Sequence, residues 1–132
     1  MADINDINVI FDYYAALWKY FSRERLELLL DNAIEYEYFV EGCPAFKLYS
    51  KNTVLTSYYD SWFSKCQITS TKVASFDLKL TNEGIQVEYE VTQMQSGSLL
   101  LLRFRETFRV KSGKIVGIAM NQLYRERITH DV

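Results

Sequence analysis

The sequence predicts an α+β domain in which a curved antiparallel sheet wraps around about three N-terminal helices and leaves a cone-shaped cavity. Two observations carry that expectation. Up to residue 65 apolar side chains recur mainly at helical spacing, whereas beyond it they alternate with polar ones in four runs parted by turn residues. The third observation is an exception: Glu106 stands on the apolar face of its strand pattern. A chain of 132 residues, 48% of them hydrophobic, fits one compact domain spanning residues 1–132.

Ile4, Ile7, Ile10/Phe11, Tyr14, Leu17/Trp18 and Phe21 place a first helix over about residues 4 to 21, started by Asp3 or by Asn5/Asp6. A second stripe, Val9, Tyr13, Ala16 and Tyr20, makes its apolar face wider than a surface helix needs, so it should lie in the concavity of the sheet. Ser22 caps a short second helix, Arg23 to Leu30, with Arg23 and Glu27 paired one turn apart and Asp31-Asn32 ending it. Ile34 to Val40 reads as a strand, broken at Gly42-Cys43-Pro44 and followed by a loop to Ser50. A third helix, about Lys51 to Lys65, starts at Ser50 or Asn52 and carries the apolar pairs Val54/Leu55, Tyr58/Tyr59 and Trp62/Phe63.

Four strands then follow, over about Ile68–Leu80, Ile85–Gln95, Leu99–Lys111 and Ile115–Leu123, with turns at Asn82-Glu83-Gly84, Ser96-Gly97 and Ser112-Gly113. They form a meander. Leu100, Leu102, Phe104, Glu106, Phe108 and Val110 share one face of the third of them, and Arg103, Arg105 and Arg109 the other. The segment Tyr124 to Val132 is charged and is expected to fray.

Composition excludes several function classes. A net charge of -2 with scattered Lys and Arg gives no electrostatic footprint for nucleic acid or an anionic membrane. The first residues lack the pattern of a secretory signal, and no apolar run approaches the ~20 residues of a membrane-spanning helix, so a cytoplasmic location is expected. Cys43 and Cys66 have no CxxC spacing and read as free thiols. His130, in the tail, is the only histidine, so neither a metal site nor a cofactor is expected.

Glu106, flanked by Phe104 and Phe108, resists ionisation if buried. It is then either a neutral acid able to donate a hydrogen bond to a developing oxyanion, or a carboxylate held by a Lys, an Arg or a tyrosine hydroxyl of the helices. Glu37 is a general base only if its face of the strand points inward; the more apolar Ile34, Tyr36, Tyr38, Val40 face would send it to solvent. The arginines of the outer face read as partners of Glu88 and Glu90 on the neighbouring strand.

Tyr13-Tyr14-Ala15-Ala16-Leu17, Leu29-Leu30-Asp31-Asn32-Ala33, Tyr58-Tyr59-Asp60-Ser61-Trp62-Phe63 and Glu106-Thr107-Phe108-Arg109-Val110 before Gly113-Lys114-Ile115, in that order, resemble the NTF2-like superfamily, also called SnoaL-like or cystatin-like α+β. The resemblance covers nearly the whole chain. It implies a sheet-lined pocket and a homodimer packed through the outer sheet faces. At three positions the chain is similar to the ketosteroid isomerases: Tyr13 matches their hydrogen-bonding tyrosine, Glu37 their aspartate base and Glu106 their protonated aspartate, with glutamate replacing both aspartates. The expected function is binding of an apolar, cyclic or polyketide-like small molecule, with isomerase or cyclase chemistry carried by Glu106, Glu37 and Tyr13. Tyr14, Tyr36, Trp62, Phe104, Phe108 and Asn121 are then expected to contact the ligand. The alternative is a non-catalytic dimerisation or protein-binding module whose cavity its own rings fill.

Overall fold

Asp3 starts the first helix, because its side chain accepts the backbone N–H groups of Asn5 and Asp6 while the Asp6 carboxylate accepts that of Asp3. The structure, a computed structural model, describes residues 3–65, 72–95 and 97–128. Helix α1 (Ile4–Tyr14) continues into a π-helical stretch, Ala15–Lys19. Ser22 caps α2 (Arg23–Leu29), accepting the Arg25 N–H, and Arg23 pairs with Glu27 at 3.3 Å and with Asp60 at 2.6 Å. Ser50 caps α3, which comprises Lys51–Val54, a π-helical stretch Leu55–Tyr59, and Asp60–Lys65.

Six strands, β1 (Leu30–Val40), β2 (Cys43–Tyr49), β3 (Lys72–Thr81), β4 (Gly84–Gln95), β5 (Ser98–Lys111) and β6 (Lys114–Arg127), form one sheet in the order β2-β1-β6-β5-β4-β3. The meander β3 to β6 is antiparallel throughout. Gly84 allows the β3–β4 turn: its φ is +139°, and a Cβ there would lie 2.1 Å from the Phe108 carbonyl oxygen. At the β5–β6 turn Ser112 and Gly113 both have positive φ, as a two-residue hairpin demands.

Four expectations need correction. Residues 43–49 are a strand, not a loop: Glu41 and Gly42, both at positive φ, turn the chain back, and Pro44 is accommodated because β2 lies at the sheet edge, where a missing N–H breaks no ladder. Asp31 and Asn32 belong to β1, which begins at Leu30. The sheet is mixed, because β1 runs parallel to β6 while pairing antiparallel with β2. Tyr124 to Arg127 do not fray; they pair with β5 from Leu100 to Arg103. Cys66, Ser96, His130 and the first residues of the strand expected from Ile68 lie outside the described residues.

The core lies between the helices and the concave sheet face, with α1 packed on β5 and α3 on β1 and β2. Ile10, Leu26, Ile34, Val54, Val87 and Phe108 are among its fully buried side chains. On the convex face Arg103 meets Glu90 at 3.1 Å and Arg105 meets Glu88 at 3.3 Å, the cross-strand pairs read from the sequence. Arg109 reaches Glu35 of β1 at 3.3 Å, over Gly117, where any larger residue would collide with the guanidinium. Cys43 is an exposed free thiol. Among the described residues no helix is long and apolar enough to cross a membrane, and no cluster of His, Cys, Asp or Glu is placed to hold a metal.

Candidate functional site

A cavity of about 370 Å³ lies between α1, α3 and the concave face of β4, β5 and β6. Both long helices wind into their π-helical stretches beside it: Leu17 and Trp18 line it from the first, Ser57, Tyr58 and Tyr59 from the second. Such wider turns displace side chains from the usual helical spacing and occur often at functional sites. Trp62, Leu102, Phe104 and Met120 supply apolar walls, and Gln93, Gln95 and Gln122 supply amides.

Glu106 borders this cavity with 0% of its surface exposed. Period-two alternation along β5 put it there, between Phe104 and Phe108. Its Oε1 accepts hydrogen bonds from the Tyr89 hydroxyl at 2.7 Å and the Tyr14 hydroxyl at 2.8 Å, while its buried Oε2 has no hydrogen-bond partner among the described residues. Burial raises its pKa to about 7 from an ordinary 4.5; the hydroxyls of Tyr89, Tyr14 and Tyr13 act in the opposite direction and are outweighed. Tyrosine hydroxyls grip one oxygen, no cation pairs with the group among the described residues, and burial keeps its proton on up to about pH 7.

Burial, followed by the charge of Glu106, holds Tyr13, Tyr14, Tyr59 and Tyr89 well above the ordinary tyrosine pKa, so all four remain hydroxyl donors. The Tyr13 and Tyr59 hydroxyls are bonded to each other at 2.5 Å. Removing a donor to Oε1, by Tyr14→Phe or Tyr89→Phe, takes a hydrogen bond worth about 1.5–3 kcal/mol from the ionised form. Each variant is therefore expected to move the Glu106 titration upward by about one pH unit or more. Carboxyl carbon NMR reads the change directly, and a downward movement would contradict the assigned bonding.

Of the residues singled out in the sequence, Glu106, Tyr13, Trp62 and Phe104 border the cavity. Tyr14 stands behind the acid as its donor. Tyr36 and Phe108 do not border it; they are fully buried, Tyr36 against Tyr58 at 4.6 Å and Phe108 against Tyr13 at 5.1 Å between ring centroids. Asn121 belongs to the opposite side of β6, where its Oδ1 accepts the Gly42 N–H at 3.1 Å, and its neighbour Gln122 faces the cavity instead. Glu37 does not reach the site. With Ile34 and Tyr36 buried on the inner face of β1, alternation sends Glu37 outward, 3.8 Å from Lys47. No carboxylate other than Glu106 borders the cavity among the described residues.

Sequence reasoning passed over Tyr89, Gln93, Lys65 and Arg125. Gln93 was findable by the rule that exposed Glu106, since it is a polar residue on the buried face Ile85, Val87, Tyr89, Val91 of β4. Tyr89 reads as an ordinary ring on that face, and only the fold brings it to Glu106.

No protein-family model and no curated protein matches the sequence. Solved structures do match. An NTF2-like protein of Burkholderia xenovorans aligns with TM-score 0.69 at 14% identity, covering 96% of this chain and 92% of that one. A provisionally named polyketide cyclase of Xanthomonas campestris pv. campestris aligns with TM-score 0.68 at 12% identity over 89% of both chains. A protein of ketosteroid isomerase-like fold from Catenulispora acidiphila, in complex with trimethylamine, aligns with TM-score 0.63 at 10% identity, over 85% of this chain and 82% of that one. Helices cupped by a curved six-stranded sheet are thus this chain's version of a shared architecture: the protein has the NTF2-like fold.

Proposed function

We propose that the cavity binds an apolar, ring-bearing small molecule with an oxygen against Glu106, and that Glu106 exchanges a proton with it. The observation that carries this reading is the carboxyl group itself: buried at the cavity, fixed through Oε1 by two tyrosines, with Oε2 unbonded among the described residues. A native protein rarely buries a polar atom without a partner, so a ligand oxygen is the natural complement of Oε2. The aromatic walls suit a cyclic body, and the polyketide cyclase among the structural neighbours supports the same class of ligand.

The chemistry follows from a single carboxyl group that titrates near neutrality. Protonated, Glu106 donates to a ligand carbonyl or phenolic oxygen. Ionised, it accepts a proton from a C–H bond next to a carbonyl; the C–H electron pair forms the new C=C bond and the carbonyl π pair moves to oxygen. Where the ligand carries a β,γ-double bond the anion is a dienolate, and return of the proton from Glu106 to its γ-carbon completes an isomerisation without a co-reactant. Glu37 takes no part, so the one carboxyl group serves as both acid and base.

Tetralone and naphthol are suitable probes, because one presents a carbonyl and the other a hydroxyl on a fused ring. Each is expected to quench Trp18 and Trp62 saturably and to shift the Glu106 carboxyl resonance, and Glu106→Gln is expected to remove the pH dependence of binding between about pH 5 and 8. If neither probe saturates, the ligand reading fails and the cavity is a packing feature of an interaction module.

A further inference from the structure

The wall of the cavity changes character along β6, and a bulge is the reason. Phe104 pairs with Gln122 but Arg103 pairs with Tyr124, so Leu123 is an extra residue in β6. Before the bulge the even positions Ile118, Met120 and Gln122 lie on the concave side with Phe108, Glu106 and Phe104. After it the odd positions do, with Arg125 opposite Leu102 and Arg127 opposite Leu100. Without Leu123 as an insertion, Tyr124 and Glu126 would occupy those places. The bulge thus exchanges a phenol and a carboxylate for two guanidinium groups.

Lys65, at the end of α3, and Arg125, both exposed, line the rim of the cavity, and the two also line an adjoining cleft with Arg127, Gln95 and Ser98. In a chain of net charge -2 this is a local concentration of positive charge. Neither Lys65 nor Arg125 forms an ion pair among the described residues, whereas every arginine of the convex face of β5 does. Below the rim two of the three amide oxygens already accept a hydrogen bond: Gln93 Oε1 accepts from Gln95 Nε2 at 2.7 Å, and Gln122 Oε1 accepts from the Tyr38 hydroxyl at 3.1 Å. Both amides also have N–H donors to offer a ligand.

We infer that the ligand of this cavity is an anion: an apolar fused-ring molecule whose carboxylate sits at the rim between Lys65 and Arg125 while its far end reaches Glu106. The inference rests on the cavity being the ligand site, as proposed above. A planar guanidinium matches a carboxylate with two parallel hydrogen bonds, and the amide donors extend the same complementarity inward. Arg125 lies opposite Leu102, four residues along β5 from Glu106, so their places along the strand are about 13 Å apart at the rise of an extended strand. That span suits a fused-ring skeleton better than a single ring.

Binding of an anthraquinone carboxylate and of its neutral hydroxymethyl counterpart, followed by quenching of Trp18 and Trp62, separates the terms. The carboxylate is expected to bind the wild-type protein about tenfold more tightly or better, since charge-assisted hydrogen bonds are among the strongest a site can offer. The combined Lys65→Gln, Arg125→Gln variant is expected to lose that preference while still binding the neutral probe. Both side chains are exposed, so folding is not at stake. Arg103→Gln, on the convex face, is expected to leave the preference intact. Equal binding of the two probes to the wild-type protein, or a preference that survives in the double variant, overturns the anionic ligand and leaves the cavity reading standing. Failure of both probes to bind overturns the two together.

Discussion

Raising the pH from 4.5 to above 7 is expected to cost the wild-type protein about 3 kcal/mol more stability than it costs Glu106→Gln. The sign follows from proton counts. Above pH 4.5 the unfolded chain releases the Glu106 proton, while the folded protein keeps it until about pH 7. Within that window the folded state binds more protons, so each pH unit lowers stability by about 1.4 kcal/mol. The stabilisation is fully present below the unfolded value and lost as the pH rises through the folded one. Glutamine cannot titrate, and the exposed ionisable groups contribute nearly equally to both proteins, so the difference between them isolates position 106. Urea unfolding at the two ends of the window measures it. A difference that stays level across the window would mean that Glu106 is ionised in the folded protein, and the neutral acid at the cavity would have to be abandoned.

Phe108→Ala is expected to destabilise the fold by about 3–5 kcal/mol, the usual cost of removing a buried ring that neighbouring side chains cannot replace. Phe108 has no exposed surface, and its ring lies edge-on to Tyr13 at 5.1 Å and to Tyr14 at 5.9 Å. It thereby holds the donors that surround Glu106. Phe104, two residues earlier on the same face, is only half-buried and borders the cavity, so Phe104→Ala is expected to cost less than half as much stability and to weaken naphthol binding instead. Denaturation midpoints and naphthol titrations of the two variants separate the roles. Equal stability losses would mean that Phe104 is a core residue and that the cavity wall is drawn in the wrong place.

These two phenylalanines mark the boundary between what is local and what is not. Asp3, Ser22 and Ser50 as helix starts, the turns at Gly84 and Ser112-Gly113, and the exposure of Glu106 by the alternation of β5 are all readable along the chain. Each depends on the backbone geometry of a few consecutive residues. The sequence by itself therefore determined the helices, the meander, the α+β class and the acid on an apolar face. Tertiary structure decided what that acid touches: Tyr14 lies 92 positions away and Tyr89 lies 17 away, and nothing in periodicity selects them from ten tyrosines. It also decided the parallel placement of β1 beside β6 and the pairing that makes residues 43–49 a strand despite Pro44. The cationic rim is the clearest case. Whether Arg125 or Tyr124 faces the cavity depends on one inserted residue at Leu123, and a bulge is set by how β6 fits β5, because side-chain parity survives only as long as the ladder has no extra residue.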